Sequence, residues 1–369
     1  MVRKGDPVGE LLARHDATRA EVIPGDGRIW DAHTHLGVDE DGSSLEAAEL
    51  IDQMHRYGVS RAFVFPLNDP ARVPRYRIPN DRVLAWAAES GGMLVPFCRL
   101  DMSDAPLEEA TRCLDGGARG IKLHPRAQRF GFDEAGLDPV FALADERSVP
   151  ILVHAGRGLP PIATPLRRLV ERHPGAQLIL AHAAIADLQE ISRILTAHPN
   201  VCYDTSVWSA IDIRSLLASV APEQVLFATD APYGTHMVSQ LQVGTLLRRI
   251  GASEEVVSAI FWGNAERVAA GLPAPAMSPP LIDDSMRLSL QRMRVHEYLV
   301  MAATTRWLRQ PDTPGALMLA ARASDPESDP ALADVAELLA AAQLVWDDPE
   351  RARDLFRVLQ IAMCLVMDA

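Results

Sequence analysis

The chain has 369 residues, of which 48% are hydrophobic and 23% are charged, as is ordinary for a globular protein with one large domain and a smaller one. Its formal net charge is −13 and it contains no basic run, which argues against nucleic acid or an anionic membrane surface as a partner. Cys98, Cys113, Cys202 and Cys364 are scattered, which predicts reduced core residues of a cytoplasmic protein. The opening stretch "MVRKGDPVGELLARHD" has no apolar run and predicts no signal peptide.

Short apolar runs alternate with amphipathic segments from residue 28 to residue 272. The segments are predicted helices; "SLEAAELIDQMHRYG", for example, begins at Ser44 as a possible cap and ends at Gly58. Eight strands alternating with helices over about 245 residues predict an α/β fold, the (β/α)8 barrel. The predicted strands are rich in Val, Ile, Leu and Phe and comprise residues 28–35, 61–67, 93–100, 120–125, 150–156, 177–183, 201–207 and 225–232.

An open, doubly wound parallel sheet is the structural alternative to the barrel. Such a sheet is expected to carry a glycine fingerprint after its first strand. The stretch "AGRGLPP" contains Gly156 and Gly158, but Pro161 stands where the third glycine would fall. The barrel is therefore favoured.

The alternation of apolar runs and amphipathic segments, and its end at residue 272, predict four parts of the chain. They are an N-terminal arm at 1–27, the barrel at 28–272, a Pro/Ala-rich linker at 273–283 and a helical region at 284–369. The stretch "MRLSLQRMRVHEYLVMAATTRWL" in the last part is apolar enough to require burial. Three locations remain open for it, namely the barrel mouth, a homodimer interface and a contact with another partner.

Polar side chains interrupt the predicted strands at their carboxyl ends. In a (β/α)8 barrel these ends surround one mouth, where barrel enzymes have their active sites. Members of a pair two residues apart, such as His33 and His35 or Lys122 and His124, project from the same face of a strand. The complete set in chain order is His33, His35, Arg99, Lys122, His124, His154, His182 and Asp230.

Several imidazoles and a carboxylate around one point are typical of a site for a divalent metal, zinc above all, with a position left for water. The metal lowers the pKa of that water and makes hydroxide available near neutral pH. Asp230 is suited to take the proton and pass it to the leaving group. The metal's identity stays open, because the same ligands suit Zn, Mn, Fe, Co and Ni.

Five motifs in this order resemble the amidohydrolase superfamily and, more narrowly, its amidohydrolase-2 branch of metal-dependent barrel enzymes. They are "DAHTH", "IKLHP", "LVHAG", "LAHAA" and "ATDAP", on predicted strands 1, 4, 5, 6 and 8. The segment "GNAERV" at 263–268 also resembles that branch. The resemblance covers roughly residues 28–272 and does not extend to the helical region.

The resemblance implies that His33, His35, His154 and Asp230 hold a divalent metal. It also implies that His182 orients or protonates the substrate. Members of the superfamily hydrolyse C–N, C–O or lactone bonds, and others in this branch decarboxylate or hydrate unsaturated or aromatic acids. The resemblance therefore defines the site better than the reaction.

Lys122 has three open roles, of which the resemblance suggests two and the third is a plain ion pair. Binuclear relatives carry a lysine at the end of strand 4 whose carbamate bridges two metals, the second held by the histidines that correspond to His154 and His182. Arginine cannot do this, because a guanidinium is never deprotonated in proteins. With a single metal, Lys122 is instead a catalytic cation that pairs with Asp230 or with the substrate.

Two further residues are expected to bind substrate. Arg99 is suited to clamp a substrate carboxylate through two hydrogen bonds, although it could equally pair with Asp101 or Asp31. His124 either contacts the substrate or only ends its strand before Pro125.

The sequence thus predicts a metal-dependent hydrolase of a small molecule, in which metal-activated water attacks a carbonyl, amide, ester or lactone carbon. The metal and His182 would polarise the carbonyl oxygen, and Asp230 would move the proton. Two alternatives remain open. One is a non-hydrolytic decarboxylase or hydratase acting on a small carboxylic acid. The other is a catalytically quiet barrel that acts as an interaction module through its helical tail.

Overall fold

A computed structural model describes residues 6–283, 288–308, 310 and 315–367. The parts of the predicted arm and helical region at 1–5, 284–287, 309, 311–314 and 368–369 lie outside the described residues. Nine strands form one sheet, in which the eight parallel strands follow chain order. The strands are β1 (Trp30–Val38), β2 (Ser44–Leu45), β3 (Arg61–Pro66), β4 (Leu94–Arg99), β5 (Gly120–Leu123), β6 (Pro150–Val153), β7 (Gln177–Leu180), β8 (Val201–Asp204) and β9 (Val225–Leu226).

The sheet curls until its two ends meet, which confirms the predicted barrel. Beyond β9 the chain runs on beside β1: the amide of Ala32 donates to the carbonyl of Phe227 over 2.9 Å, and the amide of His35 donates to the carbonyl of Ala231 over 2.7 Å. Each of the eight parallel strands overlaps one of the predicted runs. These backbone hydrogen bonds join the two ends of the sheet, so the barrel is closed at this seam.

The first strand differs from its prediction, because it does not end at His35. β1 continues to Val38, since Gly37 pairs with Leu45 and Val38 with Ser44 in an antiparallel hairpin with β2. His33 and His35 therefore lie inside a long strand, held by neighbours on both sides.

The same hairpin makes the predicted helix cap at Ser44 wrong. Ser44 belongs to β2, and the helix after it begins at Ala47 with Glu46 at its cap. The predicted end is confirmed: Gly58 has φ of 69° and its amide bonds to the carbonyl of Met54. Glycine adopts this left-handed conformation at a helix end with the least steric cost.

Helices follow the strands around the barrel, and four more lie beyond it. The helices are α1 (Pro7–Thr18), α2 (Ala47–Tyr57), α3 (Arg77–Glu89), α4 (Pro106–Asp115), α5 (Pro125–Gln128), α6 (Leu137–Arg147), α7 (Ala163–Arg172), α8 (Leu188–Ile194), α9 (Ala210–Leu217), α10 (His236–Arg249), α11 (Glu254–Ser258), α12 (Asn264–Ala269), α13 (Leu290–Trp307), α14 (Ala316–Ala323), α15 (Ala333–Val345) and α16 (Ala352–Val366). Single turns of 3-10 or π helix occur at Arg19–Glu21, His182–Ala184, Pro222–Gln224, Ala259–Gly263, Pro330–Leu332 and Pro349–Arg351.

The C-terminal helices share one apolar core with helices of the barrel. Leu241 of α10 and Ala210 of α9 belong to the same buried cluster as Leu299 of α13 and Leu359 of α16. Residues of α1, such as Leu11, complete this core, so the N-terminal arm packs with the tail. The apolar face predicted for the tail is therefore buried against this chain's own barrel; the division into four parts stays a prediction.

Two negative findings concern the described part of the chain. Its helices include none long and apolar enough to span a lipid bilayer. Its four cysteines are buried, and none of them forms a disulfide bond.

Leu359 tests whether the shared core stabilises the fold. Its side chain is fully buried, so Leu359→Ala is expected to lower the free energy of unfolding by about 2–5 kcal/mol. Leu344 is 67% exposed on α15, and Leu344→Ala is the control, with a change of about 0.5 kcal/mol or less. Urea unfolding followed by circular dichroism measures both. Equal midpoints for the two variants would contradict a tail docked on the barrel.

Candidate active site and metal centre

Three side chains from the two ends of the sheet converge at the barrel mouth. The Nε2 atoms of His33 and His35 are 3.2 Å apart. Asp230 Oδ1 is 3.2 Å from His33 Nε2 and 3.1 Å from His35 Nε2. These three atoms are called the donor triangle below. The two histidines meet because residues i and i+2 of a strand project from one face.

Asp230 reaches the donor triangle through the seam of the barrel. Its amide donates to the carbonyl of His33 over 2.8 Å. Its backbone has φ of 61°, in the left-handed region that Asp tolerates better than most residues. Its side chain is 17% exposed, more than His33 or His35 beside it.

Asp31 fixes the same seam from beneath, and the sequence analysis missed it. Its buried carboxylate accepts the amides of His33 over 3.1 Å and Thr229 over 3.0 Å, and the Thr229 hydroxyl over 2.5 Å. One side chain thus joins β1 to the segment that carries Asp230. An aspartate inside the apolar run "RIWDAHTH" was the available signal.

Asp204 is a second residue that the sequence analysis missed. It ends β8 and accepts a hydrogen bond from His33 Nδ1 over 2.7 Å. That bond leaves a lone pair on Nε2 of neutral His33, aimed into the donor triangle. Asp204 follows the rule of polar residues at strand carboxyl ends, so "VCYD" carried the signal.

His154 and His182 form a pair beside the donor triangle. His182 Nδ1 lies 2.7 Å from the carbonyl oxygen of Ser206, and therefore donates to it. In neutral His182, Nε2 is then an acceptor for His154 Nδ1, 3.0 Å away. This leaves a lone pair on His154 Nε2, which is buried with no hydrogen-bond partner among the described residues.

A second group of potential metal ligands shares His33. His33, His182 and Asp204 each offer an atom within 4.8 Å of the others. The Asp204 carboxylate already accepts from His33 Nδ1, from the amide of His182 and from Ser206. Hydrogen bonds within the protein therefore explain why these three side chains lie close together. In the donor triangle, by contrast, the lone pairs of the three atoms point toward one another.

His124 packs against His154 and does not reach the donor triangle. The two rings stack with centroids 3.9 Å apart and an interplanar angle of 12°. His124 Nδ1 accepts the amide of Ala127 over 3.2 Å, which holds the ring at the start of α5.

Lys122 lies fully buried beneath the donor triangle. Its Nζ is 3.2 Å from His33 Nε2 and 4.6 Å from the ring centroid of Phe65. Burial lowers the pKa of Lys122 to about 7, although the nearby Asp230 carboxylate acts to raise it. An unprotonated amine is therefore accessible near neutral pH.

Arg99 is buried at the end of β4, and its guanidinium has few contacts. Nη1 donates to the carbonyl of Pro66 over 3.1 Å, and the group lies 5.3 Å from the ring centroid of Tyr76. It forms an ion pair with neither Asp31 nor Asp101, and among the described residues Nε and Nη2 have no hydrogen-bond partner. Buried donors without partners are costly, which points to a role in binding.

Desolvation favours the neutral form of three imidazoles of the site. Burial lowers the pKa of His33, His35 and His154 well below the usual range for histidine. Neutral imidazole is the form that ligates metals.

A cavity of about 260 Å³ opens beside the donor triangle. His154, His182 and Asp230 line this cavity, as do Arg126 and Arg157. Further lining residues lie in the loop after β8, in α9 and in the C-terminal helices. Lys122, Arg99 and His124 are not part of its lining.

The donor triangle fits a divalent metal ion. Ligands of a tetrahedral zinc ion, bound at about 2.0–2.1 Å, stand about 3.3 Å from one another. The three separations observed are 3.2, 3.2 and 3.1 Å. Two imidazoles and one carboxylate also match the usual donors of catalytic zinc. His154 is not within this group of mutually close donors.

Asp204→Asn tests the role of the carboxylate behind His33. The amide keeps the shape of the side chain but can present its NH2 to His33, so zinc affinity is expected to fall about 10–100-fold. Competition titration against a chelating dye measures the affinity. Asp138→Asn is the matched control, because Asp138 also contacts a histidine, His173, over 2.9 Å on the outside of the barrel. Equal affinities in the two variants would contradict the assigned role.

Solved structures share this fold. An uncharacterized TIM-barrel protein from Bordetella bronchiseptica is 17% identical, with a TM-score of 0.51 over 66% of this chain and 99% of that chain. The 2,6-dihydroxybenzoate decarboxylase from Rhizobium is 17% identical, with a TM-score of 0.52 over 66% of this chain and 98% of that chain. A Pseudomonas putida protein assigned as a 2-pyrone-4,6-dicarboxylic acid hydrolase is 15% identical, with a TM-score of 0.53 over 66% of this chain and 97% of that chain. At such identities the likeness concerns the fold alone.

The sequence also matches a family model. No curated protein matches the chain. The model named Amidohydro_2, described as amidohydrolase, matches residues 30–268, which is more than half of the chain. The match begins at β1 and ends in α12, so it spans the whole barrel with its donor triangle. The chain therefore belongs to the amidohydrolase-2 family.

Proposed function

We propose that the protein is a metal-dependent hydrolase that attacks a carbonyl, amide, ester or lactone carbon of a small molecule. The observation that carries the proposal is the donor triangle of His33, His35 and Asp230, with separations of 3.1–3.2 Å and with Asp230 in the lining of a cavity. Family membership supports an enzymatic role for that cavity.

In this proposal His33, His35 and Asp230 hold one divalent ion, zinc by preference. His154 is the candidate for a fourth ligand, through its buried and unpartnered Nε2. When bound there, the ion supplies a Lewis acid and a water molecule of lowered pKa. Asp204 keeps His33 in the tautomer that this role requires.

Asp230 is the proposed proton carrier. Its contacts with His33 and His35 both use Oδ1. Oδ2 therefore remains to take a proton from the attacking water and pass it to the leaving group. Asp230 also lines the cavity, where a substrate would bring its leaving group.

His182 is the proposed partner of the substrate's carbonyl oxygen. Neutral His182 is an acceptor at Nε2, because Nδ1 donates to Ser206. Donation from the same Nε2 to a substrate oxygen that gains negative charge requires a proton on Nε2 and release of the hydrogen bond from His154 Nδ1. His182 lines the cavity, so it meets the substrate directly.

Lys122 is proposed to act as a cation beside the donor triangle, not as a carbamate bridge between two metals. The bridge requires a second ion held by His154 and His182, but these rings already hydrogen-bond to one another over 3.0 Å. As a cation, Lys122 offsets the negative charge of Asp230 before the metal binds.

Arg99 and His124 have supporting parts in the proposal. Arg99 is buried and does not line the cavity, so it would anchor a negatively charged group of the substrate only where that group reaches past the cavity wall to Nε and Nη2, which lack partners among the described residues. His124 would hold the ring of His154 by stacking on it, with any direct contact to substrate secondary.

Asp230→Asn tests this function. Asn tolerates the positive φ of 61° at this position, so the fold is expected to survive. We expect the zinc-loaded variant to lose about 100-fold or more in kcat/KM, because it has lost a general base and one metal ligand. The assay measures hydrolysis of p-nitrophenyl esters and small lactones, with CO2 release from small carboxylic acids followed in parallel.

The control for this assay is Asp138→Asn, which is expected to behave as the wild type. Release of CO2 without any hydrolysis would show that the site belongs to a decarboxylase and would contradict the proposed hydrolase. Wild-type and Asp230→Asn proteins of equal activity would exclude the donor triangle as the catalytic centre.

A further inference from the structure

The C-terminal helices line the same cavity as the donor triangle. Val300, Ala303 and Thr304 of α13 and Met363 of α16 face it, together with His182 and Asp230 of the barrel. Residues three and four positions apart lie on one side of a helix, so α13 presents a single face to the cavity. Part of the cavity wall is therefore made by the tail.

This wall lies outside the part of the chain that defines the family. The family match ends at residue 268, before α13 begins at Leu290. The Rhizobium decarboxylase aligns over 98% of its own length but only 66% of this chain. Almost none of that chain is left over to supply an equivalent of the tail.

The wall is fixed in place by contacts with the barrel. His296 of α13 lies at hydrogen-bond distance, 3.0 Å, from the Ser209 hydroxyl. Trp208, in the loop after β8, packs against Trp307 of α13 and Phe356 of α16 with ring centroids 5.0 and 5.6 Å apart. Because Trp208 itself lines the cavity, the same ring joins the wall to the pocket.

We infer that α13 and α16 complete the active site and set the size of the substrate, with Ala303 and Met363 as the specificity-determining residues. This inference rests on the proposed function. Ala303 is 3% exposed and Met363 is 1% exposed, so both side chains are packed into the protein where they line the cavity. The space left by a methyl group at 303 is what admits the apolar end of an ester or lactone opposite the donor triangle.

Ala303→Leu narrows the cavity, because an isobutyl group replaces a methyl group on its wall. With zinc-loaded protein and p-nitrophenyl acetate, butyrate and hexanoate, the hexanoate-to-acetate ratio of kcat/KM is expected to fall about tenfold or more. Met363→Val removes side-chain volume from the same wall and is expected to raise the hexanoate-to-acetate ratio. It therefore tests the inference even if Ala303→Leu fails to fold.

Ala340→Leu is the matched control, because Ala340 is exposed on α15 and away from the cavity. It is expected to leave the ratio unchanged. If the wild type hydrolyses the esters but both wall variants keep its ratio, the inference is overturned while the proposed function stands.

If the wild type hydrolyses no ester, the proposed function fails, and calorimetric binding of acetate and hexanoate decides the inference. Weaker hexanoate binding by Ala303→Leu, with no change in Ala340→Leu, would support the inference that α13 and α16 set the size of the substrate. Equal binding by all variants, or no binding by the wild type, would overturn it.

Discussion

The seam between β1 and the segment after β9 is the constraint on which the site depends. Asp31 joins the two by accepting the amides of His33 and Thr229, and Asp230 donates its own amide to His33. These bonds bring together residues that are almost two hundred positions apart in the chain. The donor triangle is thus a consequence of barrel closure, and any change that opens the seam separates Asp230 from the two histidines.

Buried hydrogen bonds then determine which ring nitrogen of each histidine carries the proton and which carries the lone pair. Asp204 fixes the proton on Nδ1 of His33, and the carbonyl of Ser206 fixes the proton on Nδ1 of His182. The lone pairs that remain face the donor triangle and His154. Because burial also lowers the pKa of His33, His35 and His154, these three rings are neutral ligands with no need to expel protons first.

The sequence predicted what depends on local pattern. Strand periodicity placed His33 and His35 on one face, and the rule for barrel strand ends brought Asp230 to the same mouth. It did not predict the pairing of His154 with His182, which depends on ring orientation, or β2, which is too short to show a pattern. Helical periodicity showed that the tail buries one face but did not show that this face closes the cavity beside Asp230.

Metal content per chain tests the central claim most directly. It is measured by elemental analysis on protein purified without chelators, loaded with zinc in the presence of bicarbonate and freed of excess metal. The account predicts about one ion per chain, lost when His35 is replaced by alanine. No bound metal after loading would contradict the donor triangle as a metal centre. Two ions per chain would show that Lys122 forms the carbamate bridge after all.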